Sequence, residues 1–184
     1  ENETLKHKVW IMLTSSTGIR RRELFGIQWN NINFEEKTLS IQRSISNVNH
    51  TIAAKETKTP SSTRVISLSD TTVSMLKDYR IEYEAYYRQI VNTSIFEGVG
   101  RIEDEYIFIT HTGRVSHPDA FNGYLKAMTK RYGLMNITPH TLRHCSASYL
   151  IANNVDIQTV AARLGHASTA VTQTVYSHLL KSVE

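Results

Sequence analysis

Apolar residues recur along most of the chain at the three- and four-residue spacing of amphipathic helices. The pattern begins with Leu5, Val9 and Leu13, which predict a first helix. Gly18 follows this run and can take the positive φ that commonly ends a helix. A second, charged helix is predicted over residues 20–27. The N-terminal part of the chain is therefore expected to be helical.

Apolar and polar residues alternate instead in three later segments, as they do in half-buried strands. These segments are residues 38–45, 51–57 and 64–68. They predict a small three-stranded antiparallel sheet. The turn between the last two strands is rich in Ser, Thr and Pro, and it carries Lys58 near its tip, with Lys55 three residues upstream.

Helical spacing returns after the sheet and continues toward the C-terminus. Ser69 and Asp70 are suited to cap a long helix, and Asp156 and Gly165 to begin and end a short one. The predicted elements are a helix over 71–91, a loop over 92–105, a short strand over 106–110, helices over 116–132, 138–153 and 157–164, and a last helix that begins after Ser168 and carries Tyr176. The fold class is therefore mainly α with a small three-stranded antiparallel sheet (α+β).

The helix over 138–153 has clear start signals. Thr138 is a preferred N-cap residue, and Pro139 fits the first helical position. We expect the buried side of this helix to include Tyr149, and we expect Cys145 to be a small buried residue. Because Cys145 is the only cysteine in the sequence, an internal disulfide and a Cys-based zinc site are excluded.

The chain has 184 residues, of which 40% are hydrophobic. This length and composition predict one globular domain. The net charge is +4, and residues 1–68 hold ten Lys and Arg against six Asp and Glu, so the basic surface is N-terminal. A polyanion is the natural partner for such a surface. No apolar run approaches the ~20 residues that cross a bilayer, and no secretory signal is visible, which predicts a cytoplasmic protein.

Four side chains that can bind phosphate stand close together in the last third of the sequence. His140 and Arg143 are three residues apart, so they share one face of their helix. His140 lies in the first turn, where the helix dipole and the free N–H groups favour an anion. His166 follows a glycine, and Tyr176 comes ten residues later. The pattern predicts a phosphate-binding site.

These residues form motifs that resemble the C-terminal catalytic box of the tyrosine recombinases, the family of phage and transposon integrases and Xer-type resolvases. The motifs are H-x-x-R-H from His140 to His144, L-G-H ending at His166, and a tyrosine ten residues later. The N-terminal segment TGIRRREL resembles the first box of the family, T-G-x-R-x-x-E-L. This resemblance implies a first catalytic arginine at Arg20 and an associated acid at Glu23.

The resemblance also implies a reaction. Tyr176 would attack a DNA phosphodiester and form a 3′-phosphotyrosine, which leaves a free 5′-hydroxyl. Arg20 and Arg143 would neutralise the transition-state charge, because guanidinium groups bind phosphate oxygens bidentately and stay protonated. The covalent bond conserves the energy of the phosphodiester, so no ATP is expected. Because the two arginines neutralise the charge, no metal is expected either, and no other cofactor is implied.

The remaining catalytic roles are implied in the same way. His140 and His166 would donate hydrogen bonds to the phosphate, and His140 could also accept the proton of the tyrosine. Lys58 would protonate the leaving 5′-oxygen, although Lys55 is close enough in sequence to remain an alternative. Glu23 would hold the first arginine in place.

The resemblance further implies partners and a setting. The expected partner is double-stranded DNA that carries recombination sites, with a homo-oligomer, taken as a tetramer, assembling on it and a directionality factor as an accessory. No membrane partner is expected, and the protein should act in the bacterial cytoplasm on the nucleoid. Residues 1–184 should form the catalytic domain alone, without the upstream core-binding domain. Whether integration, excision or resolution is the natural task stays open.

Other functions compete with this interpretation. Residues 158–165 and 169–175 have the helix, glycine turn and second helix of a helix-turn-helix module, so a non-catalytic DNA-binding regulator is the main alternative. A type IB topoisomerase would share the tyrosine and the arginines. A metal-dependent nuclease is disfavoured because the sequence lacks a carboxylate cluster. Each candidate residue alone is more often structural, and only their joint occurrence in family order favours the recombinase.

Overall fold

The computed structural model describes residues 3–48, 51–56, 63–92, 105–166, 168–170 and 172–174. Its helices are α1 (Leu5–Thr17), α2 (Arg21–Leu24), α3 (Asp70–Asn92), α4 (Asp119–Arg131), α5 (Pro139–Ala152) and α6 (Ile157–Leu164). Its strands are β1 (Ile32–Asn33), β2 (Thr38–Ile41), β3 (Arg43–Val48), β4 (Thr51–Glu56) and β5 (Arg64–Ser67). Among the helices in these ranges, none is both long and apolar enough to cross a bilayer.

The strands form two antiparallel sheets rather than one. β1, β2 and β5 form a three-stranded sheet in that order, in which Leu39 pairs with Ile32 on one side and Ile66 on the other. β3 and β4 form a separate hairpin. The predicted mainly helical fold with a three-stranded antiparallel sheet is confirmed, but the predicted membership of that sheet was wrong. Residues 51–56 of the predicted strand over 51–57 pair outside it, and the two-residue strand β1 takes their place.

The predicted strand over 38–45 is divided between the two sheets. β2 ends at Ile41 and β3 begins at Arg43, where the chain packs against α2. The approach is close at Gly26, since a Cβ there would stand 2.7 Å from the Arg43 carbonyl oxygen. Both halves keep the same two-residue period, so alternation along the sequence does not reveal the break.

Local capping residues begin and end the helices as predicted. The Thr138 side chain accepts a hydrogen bond from the Thr141 N–H at 3.1 Å at the start of α5. The Asp156 carboxylate accepts one from the Thr159 N–H at 2.9 Å at the start of α6. Gly18 ends α1 with φ +66°. These bonds satisfy backbone groups that a helix terminus leaves unpaired.

The main core is built around aromatic side chains. The ring centroid of Trp10 lies 5.1 Å from that of Phe25 and 5.6 Å from that of Phe121. One face of α3 is buried in this core through Val73, Leu76, Tyr79, Tyr83, Tyr87 and Ile90. A second, smaller cluster joins α5 to α6 through Ala147, Ile151, Val160 and Leu164. This cluster fixes the end of α6 beside α5.

The orientation of α5 corrects two predictions. Tyr149 is 70% exposed, and Cys145 is exposed as well. The buried face of the helix carries Arg143, Ser146 and Ala147 together with Ile151, which was predicted there. Apolar spacing placed Tyr149 on that face wrongly because it gave no weight to a buried arginine.

Several predicted boundaries also change. α2 is shorter than predicted, α4 begins three residues later than the predicted start at 116, and residues 106–110 make only isolated bridges. The predicted loop over 92–105 overlaps the end of α3 at Asn92, and residues 93–104 of it lie outside the described residues.

Candidate active site

The described part of the chain brings five of the predicted site residues together. They are Arg20, Glu23, His140, Arg143 and His166. All of them except the glutamate line a single cleft of about 820 Å³. Lys58 and Tyr176, the other two predicted catalytic residues, lie outside the described residues.

Arg143 is held at the floor of this cleft. Its side chain points inward from the second turn of α5, and the residue is only 6% exposed. Nη1 donates to the Gly18 carbonyl oxygen, and Nη2 donates to the Leu164 carbonyl oxygen at 2.7 Å. The guanidinium group therefore joins the turn after α1 to the end of α6. The first carbonyl group belongs to Gly18 itself, and the second belongs to the residue before Gly165, so each lies beside a turn that contains a glycine.

His166 is hydrogen bonded on both sides of its ring. Its Nε2 lies 3.0 Å from Arg143 Nη2, and its Nδ1 lies 2.7 Å from Thr172 Oγ1. Because a guanidinium group only donates, Nε2 accepts, and the Nδ1 proton is assigned to the bond with Thr172. A direct hydrogen bond from Nε2 to a phosphate would need the other tautomer.

The charge state of His166 follows from its surroundings. Burial lowers the pKa of the imidazole, and the positive charges of Arg143, Arg20 and Arg64 lower it further, to about 4. The ring is therefore neutral at pH 7. It can accept a proton or a hydrogen bond there, but it adds no positive charge to the cleft.

We expect the imidazole of His166 to stay neutral well below pH 6. Because its folded pKa of about 4 lies below the unfolded value of 6.5, the unfolded chain binds the proton first. The stability contributed by neutral His166 is thus fully present above pH 6.5, and it is lost as the pH falls from 6.5 to about 4. An NMR titration of the ring C–H resonances measures this directly. A His166 midpoint near 6.5 would contradict the prediction.

Arg20 is fixed by a carboxylate and a carbonyl group. Its Nη1 donates to Glu23 Oε1 at 2.9 Å, and its Nη2 donates to the Gly165 carbonyl oxygen at 2.7 Å. The backbone N–H of Arg20 donates to the other oxygen of Glu23 at 3.0 Å. The arginine that opens α2 is therefore tied to the turn after α6. Its side chain keeps 42% of its surface exposed, so it can still meet a ligand in the cleft.

Glu23 is an ionised carboxylate beneath this site. Burial raises its pKa, but the hydrogen bond from Arg64 and the positive charges of Arg64 and Arg20 outweigh burial, so the pKa lies below its usual value. The side chain is 5% exposed. Glu23 thus holds two guanidinium groups without itself facing the cleft.

Sequence reasoning missed Arg64, which it treated only as the first residue of a strand. Its guanidinium group donates to Glu23 and to the Arg163 carbonyl oxygen. A signal was present: Arg64 and the buried Ile66 are two residues apart in β5, so they share the inward face of the sheet. Thr172 was missed as well, and only its contact with His166 reveals it.

Gly165 makes the convergence of these arginines possible. It has φ +67°, and a Cβ there would stand 2.9 Å from Arg64 Nη1 and 3.1 Å from Arg20 Nη1. Any side chain at this position would therefore push against two charged groups as well as strain the backbone. Gly133 has a similar φ of +63°, but nothing lies within 4 Å of its Cβ position.

Gly165→Ala is expected to destabilise the fold more than Gly133→Ala. The strain of a positive φ costs both variants roughly 1 to 2 kcal/mol. The Gly165 variant must in addition displace Arg20 and Arg64. Urea unfolding of both proteins measures the difference, and equal losses would show that the crowding at Gly165 is relieved without cost.

The cleft has the chemistry of an anion site. Arg20 and Arg143 supply guanidinium groups, and His140 is exposed in the first turn of α5, where the helix dipole favours an anion. The cleft is also lined by Arg22 and Lys126. Within the described ranges, no group of three or more His, Cys, Asp or Glu residues could hold a metal ion.

Comparison with known proteins identifies the family. The family model described as the phage integrase family matches residues 1–182. The chain belongs to this family. The predicted resemblance is thereby confirmed.

Curated members of the family share about a quarter of their residues with the chain. It is 27% identical to a XerC-like tyrosine recombinase of Caldanaerobacter subterraneus subsp. tengcongensis, over 94% of this chain and 46% of that protein. It is 26% identical to the ICEBs1 integrase of Bacillus subtilis, over 96% of this chain and 46% of that protein. The chain thus spans about half the length of the curated relatives it matches.

Solved structures of recombinases share the fold. The Tn1549 transposon integrase in complex with transposon right end DNA matches with a TM-score of 0.76 and 20% identity, over 100% of this chain and 58% of that chain. The XerA recombinase matches with a TM-score of 0.69 and 20% identity, over 97% of this chain and 53% of that chain. The first of these alignments covers the whole chain and therefore includes the elements that carry the cleft.

Proposed function

We propose that this phage integrase family chain is the catalytic domain of a tyrosine recombinase, which cleaves and rejoins DNA strands at specific sites. One observation carries the proposal. Arg20 and Arg143, which are far apart in the sequence, donate to neighbouring carbonyl groups at the end of α6, and both line one cleft. Two permanently charged guanidinium groups side by side suit the phosphate of a DNA strand.

Arg20 and Arg143 act on the transition state. In-line attack on a phosphodiester spreads negative charge over the equatorial oxygens, and preorganised donors stabilise that charge. Both arginines are already fixed by carbonyl and carboxylate partners, so little reorganisation is needed. Glu23 keeps the first of them in place, and neutral His166 keeps its bond to the second.

The covalent step uses the two predicted residues outside the described ranges. The oxygen of Tyr176 forms a bond to phosphorus, its proton passes to His140, and the bond from phosphorus to the 5′-oxygen breaks. Lys58 gives a proton to that oxygen, with Lys55 as the alternative donor. The product is a 3′-phosphotyrosine and a 5′-hydroxyl. Attack by the 5′-hydroxyl of another strand reverses the step and releases the tyrosine, so no ATP is consumed.

The partners follow from the same chemistry. The substrate is double-stranded DNA with recombination sites, and strand exchange between two such duplexes calls for a homo-oligomer, a tetramer in the simplest case. The Tn1549 transposon integrase, which shares this fold, is in complex with transposon right end DNA, and this supports DNA as the substrate. An upstream DNA-binding domain and a directionality factor complete the proposed assembly, which acts on the bacterial nucleoid.

Trapping on a nicked suicide DNA tests the function. Cleavage beside the nick releases a short strand, which cannot religate, so the protein stays attached to the DNA. We expect a covalent adduct on a substrate with the cognate site, mapped by mass spectrometry to Tyr176. DNA binding with no adduct would favour the helix-turn-helix regulator, and relaxation of supercoils without strand exchange would favour the topoisomerase.

Adduct formation is expected to survive excess EDTA. Arg20 and Arg143 neutralise the charge that a metal ion neutralises in many nucleases. The measurement is the adduct yield with EDTA and with added magnesium. Complete loss of cleavage in EDTA with rescue by magnesium would point to a nuclease instead.

A further inference from the structure

Arg64 connects two segments that each hold a site residue. Its side chain is 7% exposed. Nη2 donates to Glu23 Oε2 at 2.7 Å, and Nε donates to the Arg163 carbonyl oxygen at 2.8 Å. Because the donors of a guanidinium group are held in a fixed plane, these two acceptors fix the distance between them. Arg64 therefore ties α2 to the last turn of α6.

Each of these two acceptors belongs to, or is next to, a residue that accepts a hydrogen bond from a phosphate-binding arginine. The second oxygen of Glu23 accepts from Arg20 at 2.9 Å. The residue after Arg163 is Leu164, whose carbonyl oxygen accepts from Arg143 at 2.7 Å. A shift of Arg64 would thus be passed to both arginines of the cleft, although Arg64 itself is not among the residues that line it.

We infer that Arg64 is a positioning residue for strand cleavage, which sets the separation of Arg20 and Arg143 through Glu23 and the Arg163 carbonyl group. The kinetic consequence rests on the proposed function. A lysine at this position could keep the charge beside Glu23, but its single ammonium group could not also reach the Arg163 carbonyl oxygen in the same fixed plane. The two roles of Arg64, neutralising a buried carboxylate and fixing a distance, are therefore separable.

Stability alone does not account for this arrangement. A buried ion pair contributes little net stability, because the cost of removing both charges from water offsets their attraction. A purely structural Arg64 predicts that a substituted protein, once folded, cleaves at the normal rate. A positioning Arg64 predicts a folded protein that binds DNA but cleaves it slowly.

Arg64→Lys separates these outcomes. We expect its single-turnover rate of adduct formation at saturating DNA to fall roughly 100-fold, as small misplacements of catalytic groups do. DNA affinity and the urea unfolding midpoint should stay close to those of the original protein. The matched control is Arg80→Lys on α3, where Arg80 forms an ion pair with Glu84 at 2.9 Å, and its rate should not change. An unchanged rate for Arg64→Lys, or a loss confined to DNA affinity, would overturn the inference.

A second pair of variants covers the case in which Arg64→Lys does not fold. Arg64→Met combined with Glu23→Gln leaves no unpaired buried charge, and it is compared with Glu23→Gln alone. Because the double variant also loses the bond to the Arg163 carbonyl group, we expect it to cleave at least about tenfold more slowly than the single variant. Equal rates would show that Arg64 acts on Glu23 only.

A readout without DNA keeps this inference distinct from the proposed function. If the unsubstituted protein forms no adduct, the proposed function fails. The geometry is then judged by the guanidinium ¹⁵N resonances of Arg20 and Arg143 in the free protein. Arg64→Lys should shift both, whereas Arg80→Lys should shift neither. Unmoved resonances in Arg64→Lys would overturn the positioning role on their own.

Discussion

Tyr176→Phe is expected to abolish the covalent DNA adduct while leaving DNA binding almost unchanged. The substitution removes one hydroxyl group, and without this oxygen no bond to phosphorus can form. Arg20, Arg143 and the histidines that are proposed to contact the phosphate remain in place. The measurement pairs adduct yield on nicked suicide DNA with an equilibrium binding titration of the same substrate.

Two other tyrosines serve as controls for Tyr176. Tyr132 and Tyr149 are 48% and 70% exposed, so both are accessible to solvent. Tyr132→Phe and Tyr149→Phe should form the adduct at the rate of the unsubstituted protein. An adduct in Tyr176→Phe, or one mapped to either control position, would disprove the assignment of the nucleophile.

Lys58→Ala is expected to slow cleavage by about 100- to 10,000-fold, the range that loss of a general acid produces. DNA affinity should change little, because only one of many positive charges is lost. The decisive substrate has sulfur in place of the bridging 5′-oxygen. A thiolate leaves without a proton, so Lys58→Ala should recover most of its rate on that DNA.

The same substrate distinguishes the candidate acids from the arginines. In the proposed function Arg143 stabilises the non-bridging oxygens. Sulfur at the bridging position should therefore not rescue Arg143→Ala. Equal defects of Lys58→Ala on both substrates would remove this lysine from the acid role. Selective rescue of Lys55→Ala would transfer the role three residues upstream.

Features encoded by neighbouring residues were predictable from the sequence. Thr138 and Asp156 cap their helices through residues three positions later, and Gly18 ends α1 with its own backbone. The grouping of His140 and Arg143 is local as well, because the helix period places them on one face. The order of the motifs then identified the family.

Features set by distant partners were not predictable in this way. Arg64 meets Glu23 and Arg163, which are 41 and 99 residues away, and no local pattern records either contact. The exposure of Cys145 and Tyr149 has the same origin. The face of α5 that carries Arg143 is buried against partners outside the helix, such as Gly18, and Cys145 and Tyr149 do not lie on that face. Spacing predicts that a helix has faces, but tertiary contacts decide which face is buried.

The hydrogen bond between Arg20 and Gly165 joins residues 145 positions apart, and that between Arg143 and Gly18 spans 125. During synthesis the ribosome makes the first of these arginines long before it makes the turn that orients it. Domains fold only when their elements are available, and contacts of such long range form late. A nascent chain, or one released by premature termination before Leu164, thus lacks the carbonyl groups at the end of α6 that orient Arg20 and Arg143. We expect unfinished chains to leave the chromosome uncut, so that reactivity arises only with the completed C-terminal helices.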